Sequence, residues 1–487
     1  MFFHTSRDIL FMRHCIDLAW SAQTLTLPNP PVGAMLLNHN YEIISQAIHL
    51  KASKAHAEVL ALLYGYELLS GEKSGLDKWS DSQEIHDFLK KNHNGLFRDK
   101  ILLSTLEPCN HYGKTPPCAE LIAVLKPAKV IIGFCDKWGE SSNGTKTLQK
   151  AGVEVEILPQ NALPQGDFSH DSVYGQMLDL LYPFLCLKER GKFNLFKLAL
   201  RLDGEYKDGQ ISGVASRIFT HNQRCIAQRL IISGRTALND KPSLDTRYAD
   251  SFYALDLDFR QSSFEILDSI RQDMPQAQQS TQSTQRFVPQ MPHSRILPNV
   301  EILTRNKESL LRHSNTIPLF SLPNRSVAIK TSPNELSLSS GFNVIEGGFP
   351  LLWALKDKID MLLLHISPSV WLGDLSHLGQ NVDFKHTKNA KNAKNAKNPK
   401  QMQGDISKIL CHFRILRSDM LDDSLQNLSN ELFIPKSSHK AQKSVKQNLK
   451  TSKMDSRQDF LRENVAQNLH KTQETQDLLL WLKPINL

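Results

Sequence analysis

Long apolar runs are missing from this sequence. No uninterrupted stretch approaches the roughly twenty apolar residues that a helix needs to cross a bilayer, so no membrane partner is expected. Cysteine is scarce, with seven in 487 residues. A thin and odd supply gives no disulfide framework. It points to a reducing, cytoplasmic compartment, where clustered cysteine and histidine more often serve metals. The opening residues, Met1-Phe2-Phe3-His4-Thr5-Ser6-Arg7-Asp8, lack the basic-then-apolar layout of a secretion signal. Acidic residues run short, 50 against 58 Lys and Arg, for a net charge of +8. A nucleic-acid partner is one reading of that excess. Much of it, however, sits in Lys/Asn/Gln-rich tracts that read as solvated inserts, so no nucleic acid is expected.

What is present is enough apolar residue, 40%, to build real cores, in a length that suits two or three domains. Residues 8–23 place Ile9, Met12, Ile16, Ala19 and Trp20 at helical spacing. Pro28-Asn29-Pro30-Pro31 then breaks the chain into a rigid loop. A hairpin is expected over 32–37 and 41–48, turning at Asn38-His39-Asn40, and a helix over 56–69. Residues 71–99 are polar and poorly periodic and read as an insertion. Strands at 101–104, 129–134 and 153–158 alternate with helices at 119–125 and 145–150, which predicts an α/β layer domain over 1–160. A linker over 161–191 leads to a second α/β domain over 192–487. That domain opens with a strand at 193–202, a shortened helix at 218–227 and a strand at 230–233. Further apolar strands fall near 295–303, 326–330, 342–346, 361–366, 411–416 and 478–482. Low-complexity tracts interrupt it near 251–293, 380–405 and 420–475, the second holding tandem Lys-Asn-Ala repeats from Lys388. Such compositions bury too little apolar surface to order themselves, and long surface inserts cost a fold little.

Two short stretches carry the chemistry. One is His56-Ala57-Glu58; the other runs from Thr105-Leu106-Glu107-Pro108-Cys109 to Cys118. One imidazole and two thiolates make three zinc ligands, and a catalytic zinc keeps its fourth position open for water. Glu58, two residues from His56, is suited to move protons for that water. His-x-Glu followed by Pro-Cys and a second Cys is the pattern of zinc-dependent base deaminases. Here eight residues separate the cysteines instead of two. A closed structural zinc with His111 as fourth ligand is the competing reading, though it leaves His-x-Glu unexplained.

Several segments resemble the bifunctional riboflavin-biosynthesis deaminase–reductase family. They are Pro28 to Gly33, His49 ahead of His56-Ala57-Glu58, and Gly113-Lys114-Thr115-Pro116-Pro117 between the two cysteines. Further on, Phe196 to Gly204, Thr236 to Arg247 and Val344-Ile345-Glu346-Gly347-Gly348 resemble elements of the reductase half. The resemblance implies an α/β protein: a cytidine-deaminase-like three-layer domain, then a dihydrofolate-reductase-like α/β domain with low-complexity insertions. It implies zinc on His56, Cys109 and Cys118, with Glu58 as the catalytic proton shuttle. Asn29, His49, Lys114 and Thr115 would contact a pyrimidine ribotide phosphate, with Lys114 suited to the phosphate. In the second domain Leu200, Thr236, Asp240, Gly348, Phe349, Pro350, Leu351 and Leu352 would face NADPH. Ser216, Leu244, Arg247 and Glu346 would face the ribosyl phosphate. A homo-oligomer is the family expectation. The chain departs from the pattern at Asp136-Lys137-Trp138-Gly139, at Arg201 in place of a small residue, and at Ile218 near a usual Trp. Those departures keep open a deaminase with a degenerate reductase half. A nucleic-acid base deaminase with Lys-rich tracts gripping RNA also stays open.

Overall fold

The computed structural model describes residues 6–136, 143–158, 172–201, 204–206, 211–249, 297–367, 413–421 and 477–484. The expected inserts at 251–293 and 380–405 lie outside the described residues, as do 422–475 of the third and Lys137-Trp138-Gly139. In chain order the elements begin with α1 (Ser6–Trp20), β1 (Gly33–Leu37), β2 (Ile43–Ile48), α2 (Ala57–Ser70) and α3 (Ser82–Asn92). There follow β3 (Ile101–Leu106), α4 (Cys118–Leu125), β4 (Lys129–Phe134), α5 (Gly144–Lys150), β5 (Glu154–Ile157) and α6 (Val173–Arg190). Next come β6 (Lys192–Arg201), α7 (Val214–Ile226), β7 (Arg229–Ser233), α8 (Gly234–Asp240), β8 (Asn299–Leu303), α9 (Lys307–Arg312) and β9 (Val327–Lys330). The last are β10 (Gly341–Glu346), α10 (Phe349–Leu355), β11 (Met361–Ser367), β12 (Phe413–Leu421) and β13 (Asp477–Pro484). By its contacts the chain forms two compact units, 1–194 with 219–344 and 195–218 with 345–487.

The first unit holds a five-stranded sheet of order β2-β1-β3-β4-β5. β1 runs antiparallel to β2 and β3, while β3, β4 and β5 are parallel. Every residue of β1 and β3 is buried, as expected of strands covered on both faces. Alternation along β1 shows what covers them, since successive side chains point to opposite faces. Gly33 lies against the backbone of Cys15 in α1, whereas Leu36, of opposite parity, touches Gly65 in α2. Thus α1 covers one face and α2 the other, giving the expected three layers. The same unit carries β7, β8 and β9 as a parallel set, with Leu230 beside Val300 and Val300 beside Val327. Gln223 on α7 donates to the Thr24 hydroxyl at 2.9 Å, tying that region to the loop after α1.

Four helices lie where none was expected, the short α8 and α9 and the longer α3 and α6. Residues 71–99 are not an unstructured insertion, for they contain α3. Asp81 caps it by accepting from Gln83 N at 2.8 Å, and its Ile85 and Leu89 are fully buried. Lys90 then reaches Glu120 on α4 at 2.9 Å. Only a narrow apolar stripe marks this helix in sequence. The supposed linker contains the 18-residue α6, capped by Ser172 and closed by Gly191 at φ 67, with Met177, Leu180 and Leu181 buried. α7 has 13 residues and is not shortened.

In the second unit, β11 pairs parallel with β6, Met361 beside Leu195, and antiparallel with β13, which pairs antiparallel with β12. The apolar Leu478-Leu479-Leu480-Trp481-Leu482 run is therefore a buried core strand, as expected. Among the described residues no helix is long and apolar enough to cross a membrane.

Gly33 is the tightest contact between α1 and the sheet, because an added Cβ would lie 2.2 Å from the Cys15 carbonyl oxygen. Gly33→Ala should lower unfolding stability by about 1–3 kcal/mol, as overpacking against an immovable backbone does. Urea unfolding followed by circular dichroism measures it; an unchanged midpoint would mean α1 can move away freely.

Candidate zinc centre

The ligand set is assembled from the beginnings of two helices. His56 is the N-cap of α2, just outside the first turn where the sequence had put it, with extended backbone at φ −74 and ψ 163. Cys118 is the first residue of α4. Cys109 lies in the turn after β3, and its carbonyl accepts from Ala119 N at 3.0 Å. His56 Nδ1 sits 3.5 Å from Cys109 Sγ and 3.3 Å from Cys118 Sγ. One ligand atom from each residue falls within 4.8 Å of the others. His111 is not in that cluster, which speaks against a closed four-ligand site.

The electrostatics fit a divalent cation. A hydrogen bond with Cys118 holds the Cys109 thiol down to about 4, against burial and helped by His56. The same bond, together with burial, pushes Cys118 well up. Burial opposes charge on His56, but the hydrogen bond to Cys109 and the Cys109 and Glu58 charges together raise it. The three groups thus keep protons on Cys118 and His56 that a divalent cation would displace, leaving two thiolates and a neutral imidazole. Thiolate and imidazole donors in this number suit zinc. Nδ1 is the nitrogen facing the sulfurs, and Nε2 lies 3.3 Å from the Thr115 hydroxyl. Thr115, expected to contact substrate, thus has its hydroxyl against the metal ligand, where a hydrogen bond would help orient the ring.

Glu58 stands at the second position of α2, 4% exposed. Burial raises its carboxyl to about 7, with the His56 charge acting in the opposite direction. Asn29 and His49 meet beside His56: Asn29 Nδ2 donates to His49 Nε2 at 3.2 Å. His49 Nδ1 donates to the Ala55 carbonyl at 3.2 Å, and its ring stands edge-on to His56 at 5.0 Å. Burial, then the His56 charge, lowers His49 to about 3, so it is a neutral acceptor. Lys114 is exposed on the loop between the two cysteines.

One residue of the site carried no role in the sequence reading. Glu107, buried, accepts from Asp136 N at 3.1 Å and Thr145 N at 2.9 Å, lashing the Pro108-Cys109 turn to β4 and α5. Gly144 at the start of α5 closes the brace, because a Cβ there would lie 1.9 Å from the Pro108 carbonyl oxygen. The available signal was an acidic residue at the end of an otherwise apolar strand.

The residues expected around NADPH and the ribosyl phosphate fall in both units. In the first, the Thr236 hydroxyl lies 3.0 Å from Ser233 Oγ at the start of α8, and Asp240 is exposed at that helix's end. Leu244 is buried at φ 51. Arg247 is engaged by Asp245 through Nε at 2.9 Å and through a shorter Nη2 contact. Burial opposes the Asp245 charge, but the Arg247 guanidinium and Ser243 hydroxyl hold its carboxyl well below the usual range. In the second unit, Leu200 is buried, and the hydroxyl of buried Ser216 lies 3.0 Å from His365 Nδ1. Glu346 ends β10 half-buried. Gly348 caps α10, but its open side faces the Tyr206 ring, which would be 2.2 Å from a Cβ there. Of the α10 residues, Phe349, Leu351 and Leu352 are buried and Pro350 is exposed.

Residues 5–134 match the family model described as the cytidine and deoxycytidylate deaminase zinc-binding region. More particularly, the chain is 30% identical over 244 residues to riboflavin biosynthesis protein RibD of Synechocystis sp., which covers 49% of this chain and 55% of that protein. It is also 30% identical over 250 residues to RibD of Haemophilus influenzae, covering 50% of this chain and 56% of that protein. The chain thus spans little more than half the length of these relatives. A crystal structure from Thermotoga maritima, of a diaminohydroxyphosphoribosylaminopyrimidine deaminase/5-amino-6-(5-phosphoribosylamino)uracil reductase, aligns over 98% of this chain and 99% of that chain. The TM-score is 0.47 and the identity 18%.

Removing the Glu107 carboxylate leaves two part-buried N–H groups without their acceptor, together costing about 1–3 kcal/mol. Glu107→Ala should therefore lose roughly that much stability or more in urea and weaken zinc, read by competition with a chromogenic chelator. Unchanged zinc affinity would remove Glu107 from the metal centre.

Proposed function

We propose that this chain is a riboflavin-biosynthesis enzyme that deaminates 2,5-diamino-6-ribosylamino-4(3H)-pyrimidinone 5′-phosphate and then reduces the ribosyl group to a ribityl chain with NADPH. The observation that carries the first step is the convergence of His56 Nδ1, Cys109 Sγ and Cys118 Sγ beside buried Glu58. Those three atoms would hold zinc, which when bound would lower the pKa of a water molecule and so supply the nucleophile. Glu58, raised to about 7 by burial, would take a proton from the attacking water and return one to the amine nitrogen, so that the water oxygen stays on the ring as the carbonyl and the amine leaves as ammonia. Asn29 and His49 form a neutral polar wall beside His56, suited to hydrogen-bonding an uncharged ring. Exposed Lys114, on the eight-residue loop, matches the charge of a phosphate on a free ribotide rather than a base held in a nucleic acid. The named relatives support the substrate class.

The reductive step rests on the sequence segments around Thr236–Arg247 and Val344–Gly348. NADPH would carry the hydride to C1′ of the opened ribose. A specific set of contacts favours a second reading, a working deaminase with a degenerate reductase half. Tyr206 covers Gly348, Asp245 engages Arg247, and Ser216 pairs with His365.

Glu58→Gln should keep stoichiometric zinc while ammonia release from the pyrimidine ribotide falls by about 10²–10⁴-fold, the usual range for a lost acid–base group. A retained rate would sink the assignment, and faster release from RNA than from the ribotide would replace the substrate.

NADPH oxidation by the wild-type chain, supplied with the deaminated ribotide, separates the two readings. Turnover supports the bifunctional enzyme; none, with deamination intact, makes the second half a relic.

A further inference from the structure

A cavity of about 510 Å3 opens in the first unit beside the loop joining β2 to α2. Its volume lies within the roughly 300–1,000 Å3 of small-molecule sites. None of Asn29, His49, His56, Glu58, Lys114 or Thr115 lines it, so its walls are not those of the zinc centre. Lys51 and Lys54 come from the loop, Trp79 from the segment before α3, and Asn222 and Cys225 from α7. Among the described residues, the two lysines are its only charged lining residues. Lys54 Nζ donates to the Trp79 carbonyl at 2.6 Å, clamping the loop to the segment that presents the indole. Lys51 is exposed and makes no ion pair among the described residues. The remaining wall is apolar, from Leu25, Ile226 and Ala249.

A cavity with cationic groups, no carboxylate, one indole and one carboxamide is matched to a particular chemistry. We propose that it binds a phosphate monoester carried on a planar ring, the class of a nucleoside monophosphate. Lys51 meets the phosphate as a point charge, and the ring lies against Trp79 and the apolar wall of Leu25, Ile226 and Ala249. The site is separate from the proposed deamination and stands whether or not that reaction occurs.

The test uses the full-length, zinc-loaded protein and titrates AMP, UMP, adenosine and inorganic phosphate by calorimetry and by tryptophan fluorescence. At least one of the two nucleotides binds and quenches, while adenosine and phosphate alone bind at least tenfold more weakly. Lys51→Glu weakens that nucleotide at least tenfold, with Lys51→Gln falling between. Trp79→Phe abolishes the quench, and zinc content in all three variants, equal to wild type, reports an intact fold. Absence of binding by both nucleotides overturns the proposal. So does equal affinity for adenosine, an unchanged affinity in a zinc-replete Lys51 variant, or a quench that persists in Trp79→Phe.

Discussion

Two sulfurs and an imidazole nitrogen, buried within 4.8 Å of one another, are the constraint on which the first unit turns. Such a cluster cannot hold its charges apart from water unless something positive lies among them. The mutual bonds within the cluster lower Cys109 and raise Cys118 and His56, so negative charge gathers on Cys109 and protons are favoured on the other two. Exchanging those protons for one divalent ion is electrostatically even. The coupling also explains why each ligand is delivered by backbone of fixed geometry. His56 caps one helix, Cys118 opens another, and Cys109 rides a turn that Glu107 lashes to its neighbours. None of the three depends on a freely rotating loop.

The sheet serves that geometry. β3 runs straight into the Cys109 turn, and β1, antiparallel beside it, donates from Gly33 N to the Thr105 hydroxyl at 3.1 Å. α2 is buried nearly all round from Ala57 to Glu67, the state of a helix packed on several sides. Glu58 is therefore desolvated by position: a carboxylate in the first turn of such a helix has nowhere wet to point. Its raised pKa follows from the fold, while the nearby His56 charge pulls the other way.

Much of this was legible in sequence because it is local. His-x-Glu, Pro-Cys and the second Cys fix ligand identity within a few residues, and uninterrupted apolar strands such as Ile101–Leu106 announce a covered sheet. What was not legible depends on packing between distant segments. α3 and α6 each spend a narrow apolar stripe on partners far along the chain, and their polar remainder passes for insertion or linker. The family resemblance made Thr115 a substrate contact; the folded chain adds that its hydroxyl lies beside His56. In the second half, Asp245 beside Arg247 and Tyr206 against Gly348 are pairings that the quoted segments did not announce.

The Lys90–Glu120 bridge between α3 and α4 has a temporal meaning as well. Cys118 is the first residue of α4, so whatever steadies that end of the helix also steadies a ligand. Local opening energies differ from segment to segment, and a segment pinned to a neighbour opens less often than a frayed terminus. α3, a helix that supplies no ligand, would thus slow the loss of a bound ion, although its sequence looks dispensable.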